Sequence, residues 1–214
     1  MLETSYNLLG FNRPLFIAIN DVANIGILPD ILQAISSIFF IANFAAGYLI
    51  ACICFYYKTK KAADKTEYFI PIYHKLTQIG ICYALFGLTF AALKFSIDLP
   101  RPFCSLLTTE FITIMDISTE RCLSSFPSAH TGLSVFIAYC FWPYMNKILK
   151  LLACLIIIAV AISRVTLAMH YPADILYSAI ITIIIIITGN FLYRSLKNTM
   201  ITPVGIFIIR VFFS

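Results

Sequence analysis

Charge is what this sequence has least of. Only 12% of its 214 residues are charged and 61% are hydrophobic, with a mean hydropathy of +0.92. A soluble domain carries about 25% charged residues, so a soluble globular class is excluded and an integral membrane protein is expected. A basic cluster on a soluble domain is also lacking. The net charge of +5 is spread over connections between apolar runs, so the positive balance does not indicate nucleic-acid binding. Internal repeats, low-complexity linkers and lipidation signals are absent. The stretch from Met1 to Asn12 has no basic n-region and carries Glu3, so no cleavable leader is expected. One membrane-integral domain over residues 1–214 is the simplest organisation.

What the sequence has is long apolar runs. Residues 31–57, 70–93, 127–144, 151–167 and 172–192 each read as a span, because about 20 mostly apolar residues cross a bilayer. Residues 11–29 are apolar but broken by Asn12, Arg13, Asn20, Asp21 and Asn24. They read as an interfacial or partly inserted helix, with a sixth, poor span as the competing reading. The fold class is therefore all-α: a polytopic membrane helical bundle of five to six transmembrane helices with an N-terminal interfacial helix. Residues 31–198 form its core. Residues 199–214 are a tail too short to cross, expected to pack at the interface.

Seven cysteines are present, five of them within apolar runs, where they read as small core residues. Cys104 and Cys122 lie in the polar loop between the second and third spans. If that loop is extracytoplasmic they could form a disulfide. Lysine and arginine placement bears on the side. Connections after the first, third and fifth spans hold Lys58, Lys60, Lys61, Lys65, Lys147, Lys150, Arg194 and Lys197. The opposite connections hold Arg13, Lys94, Arg101, Arg121 and Arg164. The first side is read as cytoplasmic, so span ends near Lys94, Pro127 and Arg164 all face the other way.

Those three span ends carry the unusual polar residues. Lys94 closes the second span, and Pro100 and Pro102 flank Arg101. Proline disfavours helix at the residue before it, so the backbone should leave the helix around Leu99. A lysine and an arginine there are either snorkelling anchors or phosphate ligands, one a point charge and the other a bidentate fork. Ser124-Ser125-Phe126-Pro127-Ser128-Ala129-His130 opens the third span. A helix start leaves backbone N–H groups without helical acceptors and suits an anion, and His130 adds a titratable group beside it. Arg164, His170 and Asp174 surround the connection between the fourth and fifth spans. Ionisable groups at a membrane edge are costly and mark function by default. An aspartate in a first helical turn is favourable in any case; the functional reading has Asp174 accept from one ring nitrogen of His170, leaving the other free to attack.

Taken together, the three segments resemble the signature of the type-2 phosphatidic acid phosphatase superfamily, which includes vanadium haloperoxidases. That signature runs lysine, six residues, Arg-Pro; then Pro-Ser-Gly-His; then Ser-Arg, five residues, histidine, three residues, aspartate. Here it reads Lys94 to Arg101-Pro102, Pro127-Ser128-Ala129-His130, and Ser163-Arg164 to His170 and Asp174. Every spacing fits across residues 94–174. Ala129 replaces the usual glycine, a modest change unless a positive φ is needed there.

The resemblance implies roles. His170 would attack phosphorus, Asp174 would orient it, and His130 would protonate the leaving oxygen and later activate water. Lys94, Arg101, Arg164, the Ser128 hydroxyl and the N–H groups of Ala129 and His130 would hold phosphate oxygens. No metal or other cofactor is implied; only three histidines exist, and Asp98, Glu110, Asp116 and Glu120 lack a recognisable ligand spacing. The expected partners are the bilayer and a phosphorylated lipid: phosphatidic acid, phosphatidylglycerol phosphate, undecaprenyl pyrophosphate or lipid A. Oligomeric state is left open. The short length looks bacterial, which implies an inner-membrane protein with its site toward the periplasm. The rival readings are a lipid-phosphate binding or transport protein without chemistry, and a structural membrane protein with ionisable anchors. A soluble-substrate phosphatase or haloperoxidase fits a membrane bundle less well.

Overall fold

The structure, a computed structural model, describes residues 6–213. Sequence readings at residues 1–5, Glu3 among them, and at Ser214 of the tail lie outside the described residues. Eight helices of more than one turn follow in order: α1 Asn12–Ala23, α2 Leu28–Ile38, α3 Ile41–Lys61, α4 Lys65–Ser96, α5 Ala129–Phe141, α6 Lys147–Thr166, α7 Pro172–Leu196 and α8 Thr202–Phe212. A one-turn helix, Pro102–Ser105, interrupts the loop between α4 and α5, and a π-helical turn, Lys197–Ile201, joins α7 to α8. No strand occurs among the described residues. The fold is an all-α membrane bundle.

Among the described residues four stretches are long and apolar enough to cross a membrane: α3, α4, α6 and the run Pro172–Phe212. The pair α1 and α2, bent by 111° at its break, makes a fifth if counted as one span. Two boundaries differ from the sequence reading. The run 31–57 is not one helix, because the chain leaves α2 at Phe39 and begins α3 at Ile41. No proline or glycine marks that break; Ser37 Oγ donates to the Ala34 carbonyl at 2.7 Å and Phe39 N to that of Ser36 at 3.0 Å, local bonds that close a helix end. The expected span 127–144 holds a helix of only 13 residues, ended at Trp142-Pro143.

The chain divides into two compact units. The first takes the described residues up to Ile41 together with Thr89–Ile183. Within it α6 is the hub, contacted by α1, α2 and α5. Its N-terminus is capped by Asn146, whose Oδ1 accepts from Leu149 N at 2.9 Å. Its side chains are inverted relative to a soluble helix: Leu151 and Ile158 are exposed, while Ala153, Val160 and Ser163 are buried. Small and polar residues inside with large aliphatics outside suit a helix bathed in lipid. Gly132 of α5 makes close packing possible, since a Cβ there would lie 2.5 Å from the Phe90 ring and 2.8 Å from Thr182 Oγ1.

The second unit takes Ala42–Leu88 and the residues from Ile184 onward. Its core is aromatic: Phe69 lies between Phe55 and Tyr73, and Phe213 packs on Phe69 and Tyr56. Lys65 Nζ donates to the Phe213 carbonyl at 2.6 Å. The tail is thus a helix whose end is buried.

Candidate active site

All the polar span ends singled out in the sequence belong to the first unit. Their geometry starts at the end of α6. Ala168 adopts a left-handed φ of +54°; Ala168 N donates to Val165 O at 2.9 Å, and Met169 N to Arg164 O at 3.0 Å. This is a Schellman termination, usually built on glycine. An alanine there costs about 1 kcal/mol or more in backbone strain, and the residue is fully buried. Beneath the turn, Phe16, Phe103, Phe111, Val165, Leu167 and Met169 form one apolar cluster that holds it. The same turn sends His170 N to the Arg164 carbonyl at 3.1 Å, fixing the histidine backbone against the arginine backbone.

The next helix begins at Pro172. Asp174, in its first turn, is completely buried. Its Oδ2 accepts from Tyr171 N at 2.9 Å and from Ser125 Oγ at 2.6 Å, and its Oδ1 from the Tyr6 hydroxyl at 2.8 Å. A carboxylate with three donors stays ionised at little cost. His170 Nδ1 lies 3.6 Å from Asp174 Oδ2, within ion-pair range but longer than the hydrogen bond expected from the sequence. Catalytic contacts are often this open before substrate binds. Burial is the chief influence on His170. It holds the imidazole down at about 4, against the pull of the nearby Asp174 carboxylate, with Arg164 and Lys94 pushing the same way as burial. His170 is therefore neutral at physiological pH, the form that carries a nucleophilic lone pair.

The remaining groups arrive from two loops. Helix α4 ends at Ser96, three residues ahead of Leu99. Lys94 Nζ donates to Ser124 O at 2.9 Å, and Ser124 Oγ returns a bond to Lys94 O at 3.2 Å. Ser125 N donates to Leu99 O at 3.0 Å. Arg101 sits in extended backbone, φ −72° and ψ 154°, as its neighbouring prolines require. Its N–H bonds Cys122 O at 2.8 Å, and its NH1 reaches Glu120 Oε2 at 2.9 Å and Met169 Sδ at 3.0 Å. Cys104 and Cys122 are joined as a disulfide with Cα atoms 5.5 Å apart, tying the loop to the turn that carries Arg101.

Ser128 is the N-cap of α5, but its hydroxyl contacts Thr131 Oγ1 at 3.1 Å and its N–H donates to Ser178 Oγ at 2.7 Å. The N–H groups of Ala129 and His130 follow in the first turn, where no i−4 helical acceptor exists. Ala129 is not among the residues at positive φ, so glycine's conformational freedom is not needed there. His130 lies within electrostatic reach of Arg164, His170, Lys94 and Arg101, and its ring is 6.1 Å from that of Phe40. Arg164 NH1 approaches Ser36 Oγ at 3.4 Å, while its Nε, like those of Arg101 and His170 Nδ1, is buried without a hydrogen-bond partner among the described residues.

The chain matches the family model described as the PAP2 superfamily over residues 75–200. The chain belongs to the PAP2 superfamily. That interval holds all three signature segments. The fold resembles the crystal structure of Aquifex aeolicus LpxE, with a TM-score of 0.64 and 20% identity, covering 84% of this chain and 94% of that one. Comparison with curated proteins gives no match. PAP2 membership and the helical membrane fold together support a membrane lipid phosphatase.

Several neighbours of these residues escaped the sequence reading: Tyr6, Ser36, Phe40 and Ser178. Ser125 was visible two residues before Pro127, though without a role. Glu120 was visible as a loop charge. For Tyr6, Ser36 and Phe40, outside the matched interval, the sequence carried no signal.

Proposed function

We propose that this protein is a metal-independent lipid phosphatase that removes phosphate from a membrane lipid phosphate or pyrophosphate through a phosphohistidine. One observation carries the reading: three cationic side chains, a helix N-terminus, two histidines and a buried carboxylate converge in one unit of a membrane protein. In this mechanism His170 Nε2 attacks phosphorus, and Asp174 stabilises the imidazolium that forms at Nδ1. The bond from phosphorus to the lipid oxygen breaks, and that oxygen takes a proton from His130. Water then attacks the phosphohistidine, His130 takes a water proton, and inorganic phosphate leaves. Lys94, Arg101, Arg164 and the Ala129 and His130 N–H groups balance the charge on the phosphoryl oxygens, where most of the catalysis of phosphoryl transfer lies.

The substrate class follows from the setting. A phosphate site at the end of apolar spans suits a lipid whose chains stay in the bilayer. The family's lipid phosphates and pyrophosphates, lipid A and phosphatidylglycerol phosphate among them, are the candidates. The Cys104–Cys122 disulfide and the scarcity of lysine in the motif-bearing connections favour an extracytoplasmic site, periplasmic in a bacterial inner membrane.

The test is phosphate release by purified protein in detergent with EDTA present. Phosphatidic acid, phosphatidylglycerol phosphate, undecaprenyl pyrophosphate and lipid A serve as substrates, and His170→Ala as control. Release is expected to survive EDTA and to fall by about 10⁴-fold or more in the variant. Lipid-phosphate binding without release by folded protein would overturn the enzyme reading.

A further inference from the structure

We propose that Tyr6 is a positioning residue for the reaction, fixing the plane of the Asp174 carboxylate from outside the family-matched interval. This rests on the phosphatase reading above. The two oxygens of Asp174 are held differently. Oδ2, which faces His170, accepts from Ser125 Oγ and Tyr171 N; Oδ1 accepts from the Tyr6 hydroxyl at 2.8 Å. The terminal torsion of an aspartate is broad and roughly two-fold. Anchoring Oδ2 alone lets the carboxylate swing about that point, and a second anchor on Oδ1 removes the swing. The lone-pair direction that Oδ2 presents to His170 Nδ1 is then set by Tyr6.

The phenol suits this task. Burial, followed by the Asp174 charge, pushes its pKa far above the usual tyrosine range, so the hydroxyl keeps its proton and remains a donor. Donation to a carboxylate is charge-assisted and stronger than a neutral bond. It also favours the ionised form of Asp174, so that the carboxylate supports the imidazolium instead of taking its proton. The Tyr6 ring meets that of Phe126 edge-on, centroids 6.1 Å apart. Phe126 precedes Pro127 and the His130 segment, so one side chain touches the approach to both histidine-bearing elements. The following helix reinforces the arrangement: Asn12 Oδ1 accepts from Ala173 N at 3.0 Å, which caps α7 beside Asp174.

Tyr6→Phe keeps the ring and its contact with Phe126 and removes only the hydroxyl. The expected result, with the preferred lipid, is a fall in kcat of about tenfold, the scale of one charge-assisted hydrogen bond, with KM within about twofold and an intact thermal transition. In an Asp174→Asn background the same change should alter kcat by less than about twofold, because Tyr6 acts through the carboxylate. An unchanged kcat, a rise in KM alone, or an equal loss in both backgrounds would overturn the inference. Should Tyr6→Phe not fold, fluorinated tyrosines placed at position 6 keep the hydroxyl and grade its acidity; kcat must then follow the acidity, and invariance refutes the role. A wild type that releases no phosphate removes the phosphatase reading and this inference with it. An active wild type with an unaltered Tyr6→Phe variant removes only the inference.

Discussion

The motif-bearing segments between Lys94 and Asp174 and the N-terminal segment between Tyr6 and Phe40 share one compact unit, yet they handle polarity in opposite ways. The first gathers like charges: Lys94, Arg101 and Arg164 all act on His130, and the Nε atoms of both arginines are buried without partners among the described residues. The second buries uncharged polar side chains, Asn12, Asn20 and Ser36, and the polar atoms of Asn20 are all bonded. Asn20 Nδ2 donates to the carbonyls of Ile112, Val165 and Thr166 at 2.9, 3.2 and 3.0 Å, and its Oδ1 accepts from Ile112 N at 2.7 Å. Val165 and Thr166 lie in the last turn of α6, where carbonyls lack the regular i+4 helical partner, and Val165 O has the turn bond from Ala168 N at 2.9 Å beside that from Asn20. The N-terminal segment thus completes the hydrogen bonding of the turn that presents Arg164 and His170. One region carries the unbalanced charge that the proposed phosphate site rests on, and the other supplies the order that keeps it in place.

The largest test of that contrast is Arg164→Met, which keeps the apolar stem and removes the charge. Loss of one charge-stabilising donor should lower kcat/KM by about 10²–10³-fold. Thermal stability should hold or rise, because a buried cation among two others is unfavourable until an anion arrives. Activity assays paired with thermal melts in detergent read both quantities. A melt lowered as much as the activity would mean that Arg164 is a structural residue, and the contrast would fail.

The reverse signature is expected of Asn20→Ala. The change leaves Ile112 N without its partner and removes one donor each from the Val165 and Thr166 carbonyls, at a cost of about 1–2 kcal/mol. The thermal midpoint should drop clearly, with a modest loss of kcat as the Arg164–His170 turn loosens. A variant that melts like the wild type would show that the α6 terminus does not depend on the N-terminal segment.

Why one region was legible in the sequence and the other was not follows from the same contrast. Arginine, lysine, histidine and aspartate interrupt apolar runs at spacings that chemistry fixes, so Lys94, Arg101, His130, Arg164, His170 and Asp174 stood out before any fold was known. Asn12, Phe16, Asn20 and Ala23 are the buried residues of α1. They recur at helical spacing, which marks a buried face, but in the sequence Asn12 and Asn20 read only as interruptions of an interfacial or partly inserted helix. Their partners, Ala173, Ile112 and Val165, are backbone groups remote in sequence, and a backbone group leaves no trace in residue type. The break at Phe39–Phe40 was hidden for a similar reason, since serine-to-carbonyl bonds and not a glycine or proline end α2. The short α5 was more legible than it was read to be, because Pro143 stands where a continuing span would need helix.

The smallest expected effect sharpens the boundary between the two regions. Glu120 belongs to the motif-bearing loop by position but behaves as a supporter, pairing with Arg101 NH1 at 2.9 Å while partly exposed. In the proposed site a phosphate oxygen would compete with the Glu120 carboxylate for the same guanidinium. Glu120→Gln keeps the shape and removes the competing charge. An exposed pair contributes about 0.2–1 kcal/mol, so stability should change little, while KM for a lipid phosphate should fall by about two- to fivefold at low salt. The gain should shrink as ionic strength rises and the surface charges are screened. If KM instead rises, Glu120 is holding Arg101 in its phosphate-facing pose, and the loop pinned by Cys104–Cys122 acts as support despite lying between two signature segments.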